Sequence, residues 1–420
     1  VNIQNINLPG SKSITNRALL LSALAPGKTV LINPLFSDDT KYMADALRQL
    51  GPDIKETSDS IEITGKILTF EPEKNKPPIE LFIGNAGTTI RFLTTFLSTL
   101  KNGVFILKGE PRMHQRPIRD LVEPLKKAGA RIEYLEKEGY PPLKIHGTAL
   151  DFDLIEMDGS KSSQYISSVL LLLPKINPGA RLIVKDLVSR PYIDTTLSVM
   201  RQFGVEMEHK DYREFFVKNG TYTSGTFEIP ADASSASYFL AGAFLKNKPL
   251  RLNVGENCMQ GDFLFVQILR EMGGLFEISG NETVFLRRNK RFSGIHTDMN
   301  EIPDTVQTLA VLSLFAQTPT LIKNVANLRI KETDRIDALK NELSKTGAKV
   351  IAGKDFIKII PHPQQYYRPA SIKTYEDHRM AMSFALAQLR IPGLKILNPG
   401  VVSKSFSDFW EYWETFHATV

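Results

Sequence analysis

Three strings of small polar residues stand at the head of apolar runs in this chain. Gly10-Ser11-Lys12-Ser13 is followed one turn later by Arg17, and Gly84-Asn85-Ala86-Gly87 by Arg91. Gly159-Ser160-Lys161-Ser162 leads into Ser163 and Gln164. The first turn of a helix leaves backbone N–H groups free and carries partial positive charge, so each string is suited to an anion. Each would serve equally well as an ordinary helix cap. Recurrence of the donors at one position is what points to a shared ligand. A Walker loop, Gly-x-x-x-x-Gly-Lys-Ser/Thr, is absent. The later half of the chain carries different chemistry. Asn327 to Arg335 packs Lys331, Glu332, Asp334 and Arg335 ahead of a helix, and Asp304 and Asp377-His378-Arg379 open comparable segments. Carboxylates among cations suit proton transfer, because the neighbours set their pKa values. Charges of alternating sign on an exposed helix would be solvated pairs. Here they precede the helix and adjoin apolar segments, so a cleft is expected.

The elements that position these residues repeat. Starts at Gly10, Gly84, Gly159, Ala231, Pro303 and Glu376 are spaced by 74, 75, 72, 72 and 73 residues. Helix-ending glycines at 51, 129, 204, 273 and 347 keep a similar step. Units this long are small α/β modules that bury their faces against siblings. The first begins with an extended stretch at Ile6–Pro9, then a helix from about Ser13 that stops before Pro26-Gly27. A strand follows over Thr29–Ile32, then a second helix capped by Ser37 and ending at Leu50-Gly51. Two strands, through Ile54 and Ser60–Ile63, close the unit. The first helix of each module is apolar nearly all round, as in Val169-Leu-Leu-Leu-Leu, and is expected to be interior. The fold class is α/β: two lobes, each of three pseudo-symmetric βαβαββ modules with interior helices, six repeats of about 73 residues. Residues 1–11 and 230–420 are assigned to one lobe and 12–229 to the other, with the active site expected in the cleft between them. Residues 73–78 and 361–365 read as surface loops inside modules.

Composition narrows the function. At 42% hydrophobic and 23% charged the chain is that of a globular protein, with no apolar run of 18 residues. The start shows no signal peptide and no initiator Met, so trimming or excision from a longer chain is expected. Cys258 is the single cysteine, which excludes an internal disulfide and favours a reducing compartment. Seven isolated histidines without a His-x-x-x-His pair argue against a transition-metal site. The net charge of +6 is spread rather than blocked, which favours a small anion over nucleic acid.

The strings LPGSKSITNRALLLSAL, GNAGTTIRFL, GEPRMHQRPIRDLVEPL, DGSKSSQYISS, DLVSRPYIDTTL, ADASSASYF, NLRIKETDR, YEDHRMAM and SKSFSDF resemble the 5-enolpyruvylshikimate-3-phosphate synthase family of enolpyruvyl transferases. The resemblance runs through all six modules. It implies transfer of the enolpyruvyl group of phosphoenolpyruvate to the 5-hydroxyl of shikimate 3-phosphate, with release of phosphate and no metal or organic cofactor. It assigns shikimate 3-phosphate to Lys12, Ser13, Arg17, Ser162, Ser163, Gln164, Ser189, Tyr192, Asp304, Asn327 and Lys331. It assigns phosphoenolpyruvate to Lys12, Gly87, Arg91, Arg116, Gln164, Arg335, Arg379 and Lys404. Glu332 is taken as acid and base at the methylene carbon, with Asp304 as partner of the 5-hydroxyl and Lys12 sharing that role. A cytoplasmic monomer is expected, inhibited by glyphosate and without nucleic-acid or membrane partners. Phe92 departs from the pattern, because many bacterial members have Pro after the arginine. A sister transferase acting on UDP-N-acetylglucosamine typically carries a reactive Cys in the loop matching 109–116, and none is present. A non-enzymatic RNA-binding protein of related modules is the alternative from another class.

Overall fold

The computed structural model describes residues 3–65, 77–363 and 366–418. Residues 73–76 and 364–365 of the two expected loops lie outside the described residues. The repeat appears as six small sheets among the described residues, five of four strands and one of two. The chain divides into two compact units, Gly10–Ile229 and the combination of Val1–Pro9 with Pro230–Val420.

In the N-terminal unit the helices Lys12–Leu24, Gly87–Ser98 and Ser163–Leu170 are interior. Every residue of Gly87–Ser98 is buried, polar threonines included. Their polar starts cap them: Ser11 accepts from the Ile14 N–H and Ser162 from that of Gln164. Ser37 and Thr40 form a reciprocal capping box that starts Asp38–Gln49. The strands alternate as half-buried strands must, with Phe105 and Leu107 of Val104–Lys108 facing the core. Gly51, Gly129, Gly204, Gly273 and Gly347 all end helices with φ between 88° and 110°, a region closed to most side chains. The second landmark of the repeat is therefore a backbone requirement.

The first module does not keep its own opening strand. Gln4–Ile6 runs parallel to Leu250–Leu252 in the C-terminal unit, and Thr226–Glu228 runs parallel to Gly27–Ile32 in the N-terminal one. The first and fourth modules have exchanged opening strands. The chain passes from one unit to the other at Gly10, where a β-carbon would lie 2.0 Å from the Asn33 carbonyl oxygen.

In the C-terminal unit Ala233–Lys246, Val306–Leu312 and His378–Gln388 form the interior set. The sixth module departs from the expected order. Its sheet has only the paired strands Ser371–Ile372 and Lys395–Ile396 among the described residues. In place of a closing strand pair stand the short helix Pro399–Lys404 and the helix Phe409–Ala418. Phe409, Trp413 and Phe416 of the latter pack their rings around Phe239, so aromatic area closes this face instead of a sheet. No helix of the described residues is long and apolar enough to cross a membrane.

Candidate active site

In the N-terminal unit, buried cations gather at the starts of the three interior helices. Arg17 is 2% exposed. It donates from Nη1 to the Ser13 carbonyl at 2.8 Å and from Nε to Thr196 Oγ1 at 2.9 Å. Its Nη2 reaches Ser167 Oγ and the Tyr192 carbonyl, and Tyr192 N–H donates to the Ser189 carbonyl. Burial lowers the Arg17 pKa to about 10, which leaves it charged at neutral pH. The Phe92 ring lies under its guanidinium at 5.4 Å. The unusual residue after Arg91 is thus a cation–π partner for Arg17, on an unbroken helix.

Arg91 donates to Gln164 Oε1 and lies over the Tyr165 ring at 5.3 Å. Arg116, in the loop that follows the turn Met113–Gln115, donates from Nη1 to both the carbonyl and the Oδ1 of Asn85, each at 3.0 Å. Gly87 sits against this guanidinium: a β-carbon there would come within 2.4 Å of Arg116 Nη2. Lys12 Nζ stands 3.2 Å from the buried Asp39 carboxylate. Ser163 and Ser189 are buried beside these helices, Ser189 at φ 55°.

In the C-terminal unit, carboxylates and cations interlock. Arg335 is 1% exposed and begins the helix Arg335–Lys345, capped by Asp334. It donates from Nη1 to Asp304 Oδ1 at 2.9 Å, from Nη2 to Glu332 Oε2 at 2.7 Å and from Nε to Asp377 Oδ2 at 2.7 Å. Arg379 Nη2 donates to Asp304 Oδ2 at 2.9 Å, and its Nη1 to the Tyr238 hydroxyl at 3.3 Å. Lys331 Nζ lies 3.8 Å from Asp304. Burial opposes ionisation of Asp304, but Arg379, Lys331 and Arg335 outweigh it and hold the carboxyl far below the usual range. Burial likewise opposes the Arg335 charge, and Asp377, Glu332 and Asp304 outweigh that and raise its pKa.

Asp304, Lys331, Glu332, Arg335 and Arg379 thus form one cluster. Asn327 is buried in the turn Ala326–Ile330 that leads into it. Lys404 is buried at the end of Pro399–Lys404, which packs on the helix that begins with His378. Sequence reasoning did not single out Asp39, Asn85, Ser167, Thr196, Tyr238 or Asp262. Asn85 was within reach, because it lies inside the second polar string; for the others no spacing in the chain marks the contact. Asp262 is buried and accepts from Ser234 Oγ at 2.5 Å. Burial, then the Asp304 charge, pushes its carboxyl up to about 6. Cys258 is pushed up to about 12 by burial, as for a thiol with a packing role. No group of three or more His, Cys, Asp or Glu side chains among the described residues is arranged to hold a metal ion.

Known proteins resemble this chain over nearly its whole length. A 3-phosphoshikimate 1-carboxyvinyltransferase of Tolumonas auensis is 45% identical over 96% of this chain and 94% of its own length. One of Aliivibrio fischeri is 47% identical over 97% of this chain and 95% of its own. Among solved structures, an EPSP synthase of Acinetobacter baumannii superposes with a TM-score of 0.77 at 26% identity, covering 98% of this chain and 96% of that one. The family model described as EPSP synthase (3-phosphoshikimate 1-carboxyvinyltransferase) matches residues 3–413, and the chain belongs to that family.

Proposed function

We propose that this chain transfers the enolpyruvyl group of phosphoenolpyruvate to the 5-hydroxyl of shikimate 3-phosphate and releases phosphate. The observation that carries this reading is the full-length family match together with relatives near 45% identity that bear that activity in their names. The charge of the site supports it. Two phosphates and two carboxylates bring about six negative charges. Lys12, Arg17, Arg91, Arg116, Lys331, Arg335, Arg379 and Lys404 are the cations to balance them. Arginine grips either group bidentately.

Shikimate 3-phosphate is assigned to Lys12, Ser13, Arg17, Ser162, Ser163, Gln164, Ser189, Tyr192, Asp304, Asn327 and Lys331. Phosphoenolpyruvate is assigned to Lys12, Gly87, Arg91, Arg116, Gln164, Arg335, Arg379 and Lys404. In the addition step the 5-oxygen bonds to the enol carbon while the methylene carbon takes a proton from Glu332. In the elimination step the C–O bond to phosphate breaks and Glu332 recovers a proton from the new methyl group, restoring the double bond. Asp304 receives the hydrogen bond of the 5-hydroxyl.

Its environment adds a condition. With Arg335, Arg379 and Lys331 on it, Asp304 is too weak a base to take the hydroxyl proton. Phosphoenolpyruvate is to neutralise those arginines and so restore basicity to Asp304 when both substrates are present. Lys12 shares this proton. Glyphosate, an anion comparable to phosphoenolpyruvate, is expected to compete at the Gly87 and Arg116 end. The working form is taken to be a cytoplasmic monomer.

The test is phosphate release from phosphoenolpyruvate in excess chelator. Release is expected only when shikimate 3-phosphate is present. Turnover with UDP-N-acetylglucosamine instead, or loss of activity in chelator, would overturn the reading. Salt-dependent RNA binding without turnover would do the same.

A further inference from the structure

The three interior helices of the C-terminal unit carry the Asp304 cluster around their starts and a second cationic site at their ends. A cavity of about 670 Å³ opens beside Leu245, Leu314 and Arg390, near the C-terminal ends of Ala233–Lys246, Val306–Leu312 and His378–Gln388. Arg288, Lys290, Arg291 and Arg390 line it, and no Asp or Glu is among the described lining residues. Phe292, Phe315 and Tyr367 supply an apolar wall, with Phe315 and Tyr367 edge to face at 5.8 Å.

An ordinary explanation accounts for part of this charge. Arg288 donates to the Phe244 and Leu245 carbonyls at 2.6 and 3.2 Å, and Arg390 donates to Leu245 at 2.6 Å, so both cap the end of one helix. Helix ends carry about half a negative charge each, so three offset about 1.5 of the four positive charges. Lys290 and Arg291 are exposed and make no ion pair among the described residues. Burial, then the nearby Arg390 charge, lowers the Arg288 pKa. Arg288 is held in place by stacking over Phe292 at 5.0 Å and Phe244 at 5.6 Å. The cavity is far larger than one phosphate ion and falls within the range of small-molecule sites.

We propose that this cavity binds a flat-ringed phosphate ester of the nucleoside monophosphate class, the dianion on the arginine wall and the ring against Phe315 and Tyr367. The site is separate from the residues assigned to catalysis. The experiment titrates adenosine 5′-monophosphate, inorganic phosphate and adenosine calorimetrically into the wild type and into the Lys290→Glu/Arg291→Glu double variant. Both substitutions lie on exposed side chains, and steady-state turnover is expected to be unchanged. Adenosine 5′-monophosphate is expected to bind the wild type at least about tenfold more tightly than either fragment, and the double variant, with two cations replaced by anions, at least about tenfold more weakly than the wild type. Any phosphate taken up by the catalytic cations is the same in both proteins and cancels in the difference. Identical titrations of wild type and variant, or binding of the ester no tighter than phosphate, would overturn the proposal.

Discussion

The two units solve the problem of burying cations in different ways. In the N-terminal unit Arg17 is surrounded by hydroxyls, carbonyls and an aromatic face, and Arg91 and Arg116 reach side-chain amides. Neutral partners orient the Arg17 guanidinium without cancelling its charge. In the C-terminal unit Arg335 meets three carboxylates and Arg379 meets one. There carboxylates stand against the cations, and Asp304 is held far below the usual carboxylate range. On the assignment proposed above both units meet anions, Arg17 from neutral surroundings and Arg335 and Arg379 from an ion-pair network that includes Asp304 and Glu332.

The sharpest test of that division is catalytic. Asp304→Asn and Glu332→Gln keep shape and remove a titrating group, so each is expected to lower kcat by about 10²–10⁴ while substrate KM changes far less. A near-normal kcat would reduce that carboxylate to an ion-pair partner of Arg335.

Stability gives the next largest contrast. Arg335→Gln leaves Asp377, which is fully buried, without its cation, and is expected to cost about 3–5 kcal/mol in denaturant unfolding. Arg17→Gln removes a charge with no carboxylate to strand. Its main effect is expected on shikimate 3-phosphate, with KM raised about 10–100-fold and a smaller loss of stability. Equal destabilisation by the two variants would erase the comparison.

Asp262 tests whether the C-terminal field extends beyond the cluster. Its folded pKa of about 6 lies above the unfolded value, so the folded state holds the extra proton. The Asp262 contribution to stability is therefore full below about pH 4 and is lost as pH rises to 6, about 3 kcal/mol for a shift of about two units. Asp262→Asn is expected to be more stable than wild type at pH 8 and equal to it at pH 4. A constant difference across that range would contradict the assignment.

Two smaller effects probe the N-terminal unit. Gly87→Ala puts a methyl group where Arg116 Nη2 stands, displacing a guanidinium held by Asn85. The KM for phosphoenolpyruvate is expected to rise about tenfold, near the worth of one charged hydrogen bond. Phe92→Leu removes the ring under Arg17 and is expected to weaken shikimate 3-phosphate binding by about 1 kcal/mol or less.

Much of this was legible along the chain, because helix starts, helix ends and apolar periodicity are local. Ser11, Ser37 and Ser162 cap the helices they precede, and the five glycines occupy the left-handed positions their spacing implied. The family and its reaction were legible too, through strings that span all six modules. The residues that hold the N-terminal cations in shape were not, since Thr196 lies 179 residues from Arg17; Asp377 was visible as a motif, but its pairing with Arg335, 42 residues away, was not.

The clearest case is a motif that occurs twice. Gly-Ser-Lys-Ser appears at 10–13 and at 159–162; the family resemblance implies a role for Lys12 and none for Lys161, but the motif itself gives no reason for the difference. In the fold Lys12 is mostly covered and faces the buried Asp39, whereas Lys161 is half exposed and paired with Asp120 on the surface. The early crossing was expected from the assignment of residues 1–11 to the lobe of 230–420; the fold adds its counterpart, Thr226–Glu228 beside Gly27–Ile32. Local sequence determined which elements form and where they begin and end. Burial and long-range pairing, which depend on what the rest of the chain brings alongside, decided which charges are held out of water and so which can do chemistry.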